Sequence, residues 1–191
     1  FVDPRGVYSG LAECWGEARD ARKYAGPWPV VAHPPCERWG RWAGERIGQD
    51  GDCFSSAIES VRRWGGVLEH PAQSSAWLWC HLRPPSARGG WREAGDGHGV
   101  TCQVEQGHYG HRARKATWLY YVGQAPPPEL RWGPSVATIQ PRTGRDPKRE
   151  RRIGAVQRMC RSERARTPPA FAELLIDMAA RARREREGGN G

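Results

Sequence analysis

The stretch Val30-Val31-Ala32-His33-Pro34-Pro35-Cys36-Glu37-Arg38-Trp39 determines how the rest of this chain is interpreted. It starts as a short apolar, β-branched run, which favours a buried strand. Pro34 and Pro35 end that strand, because each proline fixes φ and lacks the amide that a sheet ladder needs. Cys36 therefore follows the carboxyl end of a strand, which is the edge where ligands bind in open α/β sheets.

A second strand that ends in the same way follows one helix later. Residues 52–64 carry apolar side chains at steps of three and four, which predicts a helix with one apolar face. Asp50 or Asp52 can cap the start of this helix, and Gly65-Gly66 end it. The stretch Val67-Leu68-Glu69-His70-Pro71 then predicts a short strand that ends at a proline.

Two strands joined by a helix of this length form a βαβ unit with parallel strands and a right-handed crossover. The carboxyl ends of parallel strands meet at one edge of a sheet. We therefore expect Cys36 to lie beside Glu69 and His70.

The remaining elements complete a small α/β domain. Residues 100–104 and 118–122 predict two more strands. Thr167 can act as the N-cap of a last helix that has proline in its first turn and one apolar face. We expect a single domain with a Rossmann-like, three-layer sheet. Its parts are an N-terminal segment, an α/β core, a Pro- and Arg-rich linker and a C-terminal helix (residues 1–29, 30–122, 123–166 and 167–187).

Composition favours a nucleic acid as the partner. The chain has 191 residues, a net charge of +9 and ten tryptophans, and a basic surface suits a polyanion. The alternative is a basic surface without a specific partner. The run at 142–152 is strongly basic and is expected to be solvated.

The six cysteines and the lack of long apolar runs point to a cytoplasmic protein. No two cysteines form a CxxC pair, and a chain of this size needs no disulfide framework, so we expect reduced thiols. We find no secretory signal and no apolar run that could cross a membrane. Because the sequence begins at Phe1, we expect that part of the N-terminus is missing. The spacing of the histidines and cysteines matches no zinc pattern, so no metal is expected.

Cys36 is the first candidate functional residue. His33, Arg38 and Arg41 surround it in sequence, and such electropositive surroundings favour a thiolate nucleophile. The alternative is a buried structural cysteine. Glu69 is the second candidate, because a carboxyl in a dry pocket beside a thiolate should have a raised pKa and could donate a proton. Alternatively, it caps a helix or pairs with an arginine.

The third candidate is the basic segment Gly110-His111-Arg112-Ala113-Arg114-Lys115, which directly precedes a predicted strand. Alternate residues of an extended segment point the same way, so Arg112 and Arg114 could both face a phosphate or a base. The alternative is a solvated basic loop.

These three constellations, in this order, resemble motifs of the DNA cytosine carbon-5 methyltransferases. Pro34-Pro35-Cys36 resembles the proline–cysteine nucleophile motif, and Glu69-His70-Pro71 resembles the glutamate motif, usually Glu-Asn-Val or Glu-Asn-Pro. The segment from Gly110 to Arg114, followed by a strand, resembles the Gln-x-Arg-x-Arg motif. Tyr109-Gly110 and Lys115-Ala116-Thr117 resemble phage versions of the family. The resemblance spans roughly residues 28–180.

The resemblance implies a chemistry and a set of site residues. Cys36 would add to ring carbon 6 of a pyrimidine, with Glu69 and His70 in the catalytic motif and the base flipped out of the duplex. S-adenosylmethionine would be the default methyl donor. The residues that would contact the base or the DNA are Arg38, Trp39, Arg41, Trp42, Tyr109, Arg112, Arg114 and Lys115.

The chain also departs from this family. Only 35 residues precede Cys36, and Phe1 to Gly10 is at best a degenerate version of the glycine-rich cofactor loop. Residues 123–166 are too few for a long target-recognition insert, His70 replaces the usual Asn, and Gly110 replaces the usual Gln. We therefore expect a truncated, methyltransferase-like fold, with a homo-oligomer or a partner subunit supplying missing parts.

Three functions remain open at this point. The first is modification of a pyrimidine base in DNA through a Cys36 adduct, by a protein encoded by a phage or its bacterial host. The second is a non-catalytic DNA-binding or accessory protein derived from such an enzyme. The third is an enzyme that acts on a free nucleotide, which the net charge disfavours.

Overall fold

The computed structural model of the protein describes residues 6–40, 43–136, 140–141, 158–159, 163 and 165–182. Arg41, Trp42, Cys160 and the basic run at 142–152 lie outside the described residues. Within them, no helix is both long enough and apolar enough to cross a membrane.

The main sheet has five strands in the order β1-β2-β5-β4-β3. β1 and β2 are parallel, and the other neighbouring pairs are antiparallel, so the sheet is mixed and the fold is of the α/β class. The strands are β1 (Val30–Ala32), β2 (Gly66–Pro71), β3 (Arg92–Glu93), β4 (Val100–Glu105) and β5 (Ala116–Val122). A separate parallel pair consists of β6 (Gln140–Pro141) and β7 (Arg158–Met159).

The α-helices of the described residues are α1 (Cys53–Trp64), α2 (Ala76–Trp79) and α3 (Pro169–Arg181). Asp50 caps the start of α1, because its Oδ2 accepts hydrogen bonds from the amide of Phe54 at 2.9 Å and from the indole of Trp39 at 2.8 Å. Gly65 follows α1 with φ of 79°, in the left-handed region that glycine tolerates. Because α1 joins the parallel strands β1 and β2, the predicted βαβ unit is confirmed.

The sheet separates two apolar clusters, one on each face. Alternate residues of a strand face opposite sides, so Leu68 of β2 packs with Phe54 and Ile58 of α1. On the other face, Val67 packs with Phe171 of α3. One helix layer on each face of the sheet gives three layers, as predicted.

Several local expectations are wrong. The Ala, Glu and Arg residues of the stretch 11–24 favour a short helix, but the structure has two short 3-10 turns there, Glu17–Arg19 and Ala21–Lys23. Two more such turns lie at Gly44–Arg46 and Gln106–Tyr109. The N-cap of α3 is Pro168 rather than Thr167, with Pro169 in the first turn. The beginning of the expected linker packs on the core, where Leu130 is buried.

Candidate active site at the end of the parallel strand pair

The parallel pair β1 and β2 brings the first two candidate residues to one end of the sheet. Ala32 is aligned with Leu68, so the chain that leaves β1 toward Cys36 passes Glu69, the next residue of β2. Cys36 is exposed, whereas Glu69 is buried. β2 runs through Glu69 and ends at Pro71, the proline at which the sequence predicts its end.

Glu69 is held by hydrogen bonds to both of its oxygens. Nδ1 of His33 lies 2.8 Å from Oε2, and Nε2 of Gln106 donates to Oε1 at 3.1 Å. The Tyr8 hydroxyl lies 2.6 Å from the other ring nitrogen of His33. Because a carboxylate only accepts, Nδ1 of His33 carries a proton and donates it to Oε2 of Glu69. We refer to Tyr8, His33 and Glu69 as the Tyr8–His33–Glu69 array.

The array keeps Glu69 ionised, which contradicts the expected raised pKa. Burial opposes ionisation, but the hydrogen bond and charge of His33, followed by the charge of Lys115, outweigh it and lower the pKa of Glu69. Burial, followed by the nearby Glu69 charge, raises the pKa of Tyr8, so its hydroxyl stays protonated. The resting site therefore holds a carboxylate and no proton on Glu69.

Cys36 is a protonated thiol in this site, contrary to the expected thiolate. Desolvation raises its pKa first, and the charges of Glu69 and Glu37 raise it further, while Lys115 opposes them. Cys36 and Glu69 are thus electrostatic neighbours. Deprotonation of the thiol needs a base.

Lys115 is the cation next to both groups. Its Nζ donates to the carbonyls of Ala165 at 3.3 Å and Arg166 at 2.8 Å, which ties the site to the segment before α3. Burial lowers the pKa of Lys115, and Glu69 and Cys36 oppose that shift. The structure therefore places this predicted site residue at the candidate site.

His70 does not belong to the site, although the sequence placed it there. It follows Glu69 on β2 and so faces the opposite side of the sheet, where its ring lies 5.0 Å from Phe54 and 6.3 Å from Trp77 between centroids. The charge of Glu69 and the backbone of Pro35 both favour the protonated ring, but burial outweighs them. Burial lowers its pKa to about 4, so the ring is neutral in the core.

This buried histidine should make the stability of the protein depend on pH. The pKa of His70 is lowered from 6.5 to about 4 in the folded state. The free energy of unfolding is therefore unaffected by this histidine above pH 6.5 and decreases as the pH falls from 6.5 toward 4. We expect His70→Leu to reduce the drop in unfolding free energy between pH 7.5 and pH 5 by about 2 kcal/mol. Urea unfolding at both pH values measures this. His98→Gln, which removes an exposed histidine, should leave the drop unchanged; equal drops in wild type and His70→Leu would contradict the assignment.

Both arginines of the basic segment are exposed, which fits the predicted phosphate contacts and the alternative of a solvated loop equally. Arg112 and Arg114 are exposed and alternate with the buried His111 and Ala113, so both point to solvent. Arg112 also donates to Glu163 at 2.8 Å. This surface directly precedes Lys115 and therefore adjoins the candidate site.

Two of the predicted contact residues are structural instead. Trp39 is 1% exposed and packs between Phe54 and Trp79, so its ring is not available to stack on a base. Tyr109 packs against Phe171 at 5.3 Å between ring centroids, and its hydroxyl accepts from the amide of Arg131.

The other predicted DNA-contact residues after Cys36 are Arg38, Arg41 and Trp42. Arg38 is half-buried on the loop after Cys36, and its carbonyl accepts from the amide of Gly48 at 3.2 Å. Arg41 and Trp42 lie outside the described residues.

Sequence reasoning missed Tyr8, Gln106 and Thr117. The Gln106 amide bridges Glu69 and Thr117 Oγ1, which it reaches at 3.0 Å. Gln106 directly follows β4, so the rule that pointed to Cys36, a polar residue after a strand, could have found it. Tyr8 carries no such signal, because it lies in a segment without periodicity and meets His33 only through the tertiary fold.

The described residues do not fit a glycine-rich nucleotide loop. The stretch from Gly6 to Leu11 forms turns, with the Ser9 amide bonded to the Gly6 carbonyl, and its Tyr8 is buried against His33. The described part of the candidate loop therefore does not fit S-adenosylmethionine, and Phe1 to Arg5 lie outside the described residues. Among the described residues, no group of three or more His, Cys, Asp or Glu side chains could hold a metal ion. The cysteines described, which exclude Cys160, are all free thiols.

Comparison of the chain with protein-family models, with curated proteins and with solved structures gives no match.

Proposed function

We propose that this chain modifies a pyrimidine base in DNA through a covalent adduct at Cys36, on a Rossmann-like sheet similar to that of the DNA cytosine carbon-5 methyltransferases. The observation that carries the proposal is the meeting of an exposed cysteine, an ionised buried glutamate and a lysine at one end of two parallel strands. Exposed arginines on the adjoining segment supply phosphate-binding groups next to this site.

The chemistry follows from the protonation states of Cys36 and Glu69. As Sγ forms a bond to ring carbon 6, its proton passes to the Glu69 carboxylate, directly or through a water. The electron pair of the ring double bond moves toward ring nitrogen 3, which takes that same proton from Glu69. One proton therefore moves from sulfur to nitrogen, and carbon 5 of the adduct becomes nucleophilic.

Three further residues around Glu69 and Cys36 support this transfer. His33 and Gln106 each donate to one carboxylate oxygen, which fixes the orientation of the group that must receive and return a proton. Lys115 favours the thiolate as it forms, because its positive charge opposes the carboxylates around Cys36.

A trapping experiment tests the proposal without a group donor. In 5-azacytosine a nitrogen replaces carbon 5, which makes carbon 6 more electrophilic and lets solvent protonate the adduct. Single- and double-stranded DNA carrying this base should form a denaturant-resistant complex whose mass equals protein plus DNA. Absence of any adduct on either DNA, at protein concentrations that saturate binding, would refute covalent chemistry.

The raised pKa of the Cys36 thiol favours a second candidate, a non-catalytic DNA-binding protein. In that case the exposed arginines carry the whole function, and the thiol is inert. The two candidates differ in the trapping experiment and share the expectation of salt-dependent DNA binding.

Both candidates predict that Arg112 and Arg114 contact phosphates. We expect the double variant Arg112→Gln, Arg114→Gln to flatten the plot of log affinity against log salt by about 1.8, because each lost phosphate contact changes the slope by about 0.9. Fluorescence anisotropy with a labelled duplex at several salt concentrations measures this slope. The control variant Arg88→Gln, Arg92→Gln removes the same charge from exposed positions near the opposite edge of the sheet. Equal slopes in the two variants would show only a general charge effect.

A further inference from the structure

A cleft of about 430 Å³ lies at the open edge of the main sheet. Val30 and Val31 both line it, although neighbouring residues of a strand face opposite sides of the sheet. Ser60 of α1 and Ala180 of α3, from the two helix layers, line it as well. The cleft therefore lies beside β1 and between the layers, and its size is typical of small-molecule sites.

The backbone of β1 offers this cleft an adjacent donor and acceptor. The Val30 amide donates to the Gly65 carbonyl at 3.0 Å, and Val31 is aligned with Val67. In a parallel ladder of this register, the amide and carbonyl of Val31 point away from β2, toward the open edge. Among the described residues, neither group has a hydrogen-bond partner. Val31 thus presents one N–H and one C=O side by side.

Aromatic rings form much of the remaining wall. Tyr8, Trp15, Tyr24 and Trp28 all line the cleft. Trp15 meets Tyr24 edge to face at 5.3 Å. The Tyr24 hydroxyl donates to the Trp28 carbonyl at 2.8 Å and accepts from its amide at 2.9 Å, which fixes the backbone that carries this 53% exposed ring. Such rings are suited to stacking on a flat heterocycle.

We propose that this cleft binds the planar base of a nucleoside, stacked on Trp28 and hydrogen-bonded along one edge to the backbone of Val31. Adenine and cytosine each carry an amino donor next to a ring-nitrogen acceptor, which matches the carbonyl and amide of Val31. An aliphatic ligand of the same size would leave both backbone groups unpaired, at a cost in binding. The base comes either from a free nucleoside or from an unstacked base of single-stranded nucleic acid.

This binding does not depend on the chemistry of Cys36, but it contacts the same array. The Tyr8 ring lines the cleft, while its hydroxyl is bonded to His33, the partner of Glu69. A ligand bound in the cleft therefore contacts Tyr8, and Tyr8 is bonded to His33, which orients the candidate acid–base group Glu69.

The test is equilibrium binding of adenosine, of purine riboside, which lacks the amino donor, and of a short single-stranded adenine oligonucleotide. Binding is followed by isothermal titration calorimetry up to millimolar ligand. We expect Trp28→Ala to weaken binding about tenfold, the loss expected for one stacking face. Ala180→Phe should block the cleft, since Ala180 is exposed at its wall. Purine riboside should bind more weakly than adenosine.

Matched controls separate this inference from the proposed function. Trp79→Ala removes a ring that is 59% exposed but does not line the cleft, and should leave binding unchanged. Cys36→Ser should also bind normally. Adenosine binding that is lost in Trp28→Ala supports a free nucleoside as the ligand, and binding of the oligonucleotide alone supports an unstacked base. No binding of any of these ligands, or equal binding by Trp28→Ala, Ala180→Phe and wild type, would overturn the proposal.

Discussion

Cys36→Ser is expected to lower the rate of adduct formation with 5-azacytosine DNA by at least about a thousandfold, the scale on which loss of a covalent nucleophile acts. The serine hydroxyl has almost the same size but is far less readily ionised than a thiol, so the bond to carbon 6 does not form. Cys36 lies exposed on a loop, so the substitution disturbs no packing. Denaturing gels and intact mass spectrometry of the complex measure the result.

The controls for this prediction are two other thiols of the described residues. Cys53→Ser and Cys80→Ser change half-buried cysteines elsewhere, and both variants should form the adduct at the wild-type rate. DNA affinity should be the same for all three variants, because none removes a basic group. An adduct that persists in Cys36→Ser, or that maps to another cysteine, would refute the assignment of Cys36 as the nucleophile.

The sequence predicted the scaffold because its signals are local. Apolar steps along α1, the glycines that end it and the prolines after β1 and β2 are all readable without tertiary contacts. They place Cys36 and Glu69 at one end of a parallel pair, as observed. One error that the sequence itself could have avoided was to treat Glu69 and His70 as one group, because period-two alternation already assigns them to opposite faces.

The electrostatics of the site could not be predicted, because they depend on distant parts of the chain. Glu69 was expected to be protonated in a dry pocket, but His33 and Gln106 donate to its oxygens and reverse the shift. Gln106 reaches Glu69 only because β5 pairs with both β2 and β4. Local composition cannot report an arrangement that arises from the pairing of three strands.

The tryptophans show the same limit. Trp39 lies among glycines and arginines, a composition typical of an exposed binding loop, yet it is buried because Asp50 accepts its indole proton beside α1. Trp28 lies between two prolines and is 53% exposed. Which tryptophan is buried therefore depends on tertiary contacts, such as those of Trp39 with Asp50, Phe54 and Trp79, which sequence patterns do not specify.

Glu69 and Glu37 offer a direct test of whether Glu69 acts on the ring or only on the thiol. Both carboxylates raise the pKa of Cys36. If their effect were purely electrostatic, Glu69→Gln and Glu37→Gln would each lower that pKa and speed adduct formation at neutral pH. We expect this modest acceleration for Glu37→Gln alone, because Glu37 is exposed and is not part of the Tyr8–His33–Glu69 array.

Glu69→Gln should instead slow adduct formation at pH 7 by about a hundredfold or more, the usual contribution of a general acid–base group. The amide cannot take the thiol proton or return it to ring nitrogen 3, so the variant depends on thiolate formed by solvent. Its rate should rise about tenfold per pH unit below the thiol pKa, whereas the wild-type rate should change little between pH 6 and 8, because Glu69 stays ionised there. Single-turnover trapping across this pH range, with circular dichroism to verify folding, measures both slopes. If Glu69→Gln forms the adduct as fast as Glu37→Gln or faster, Glu69 affects Cys36 only through its charge and takes no part in proton transfer.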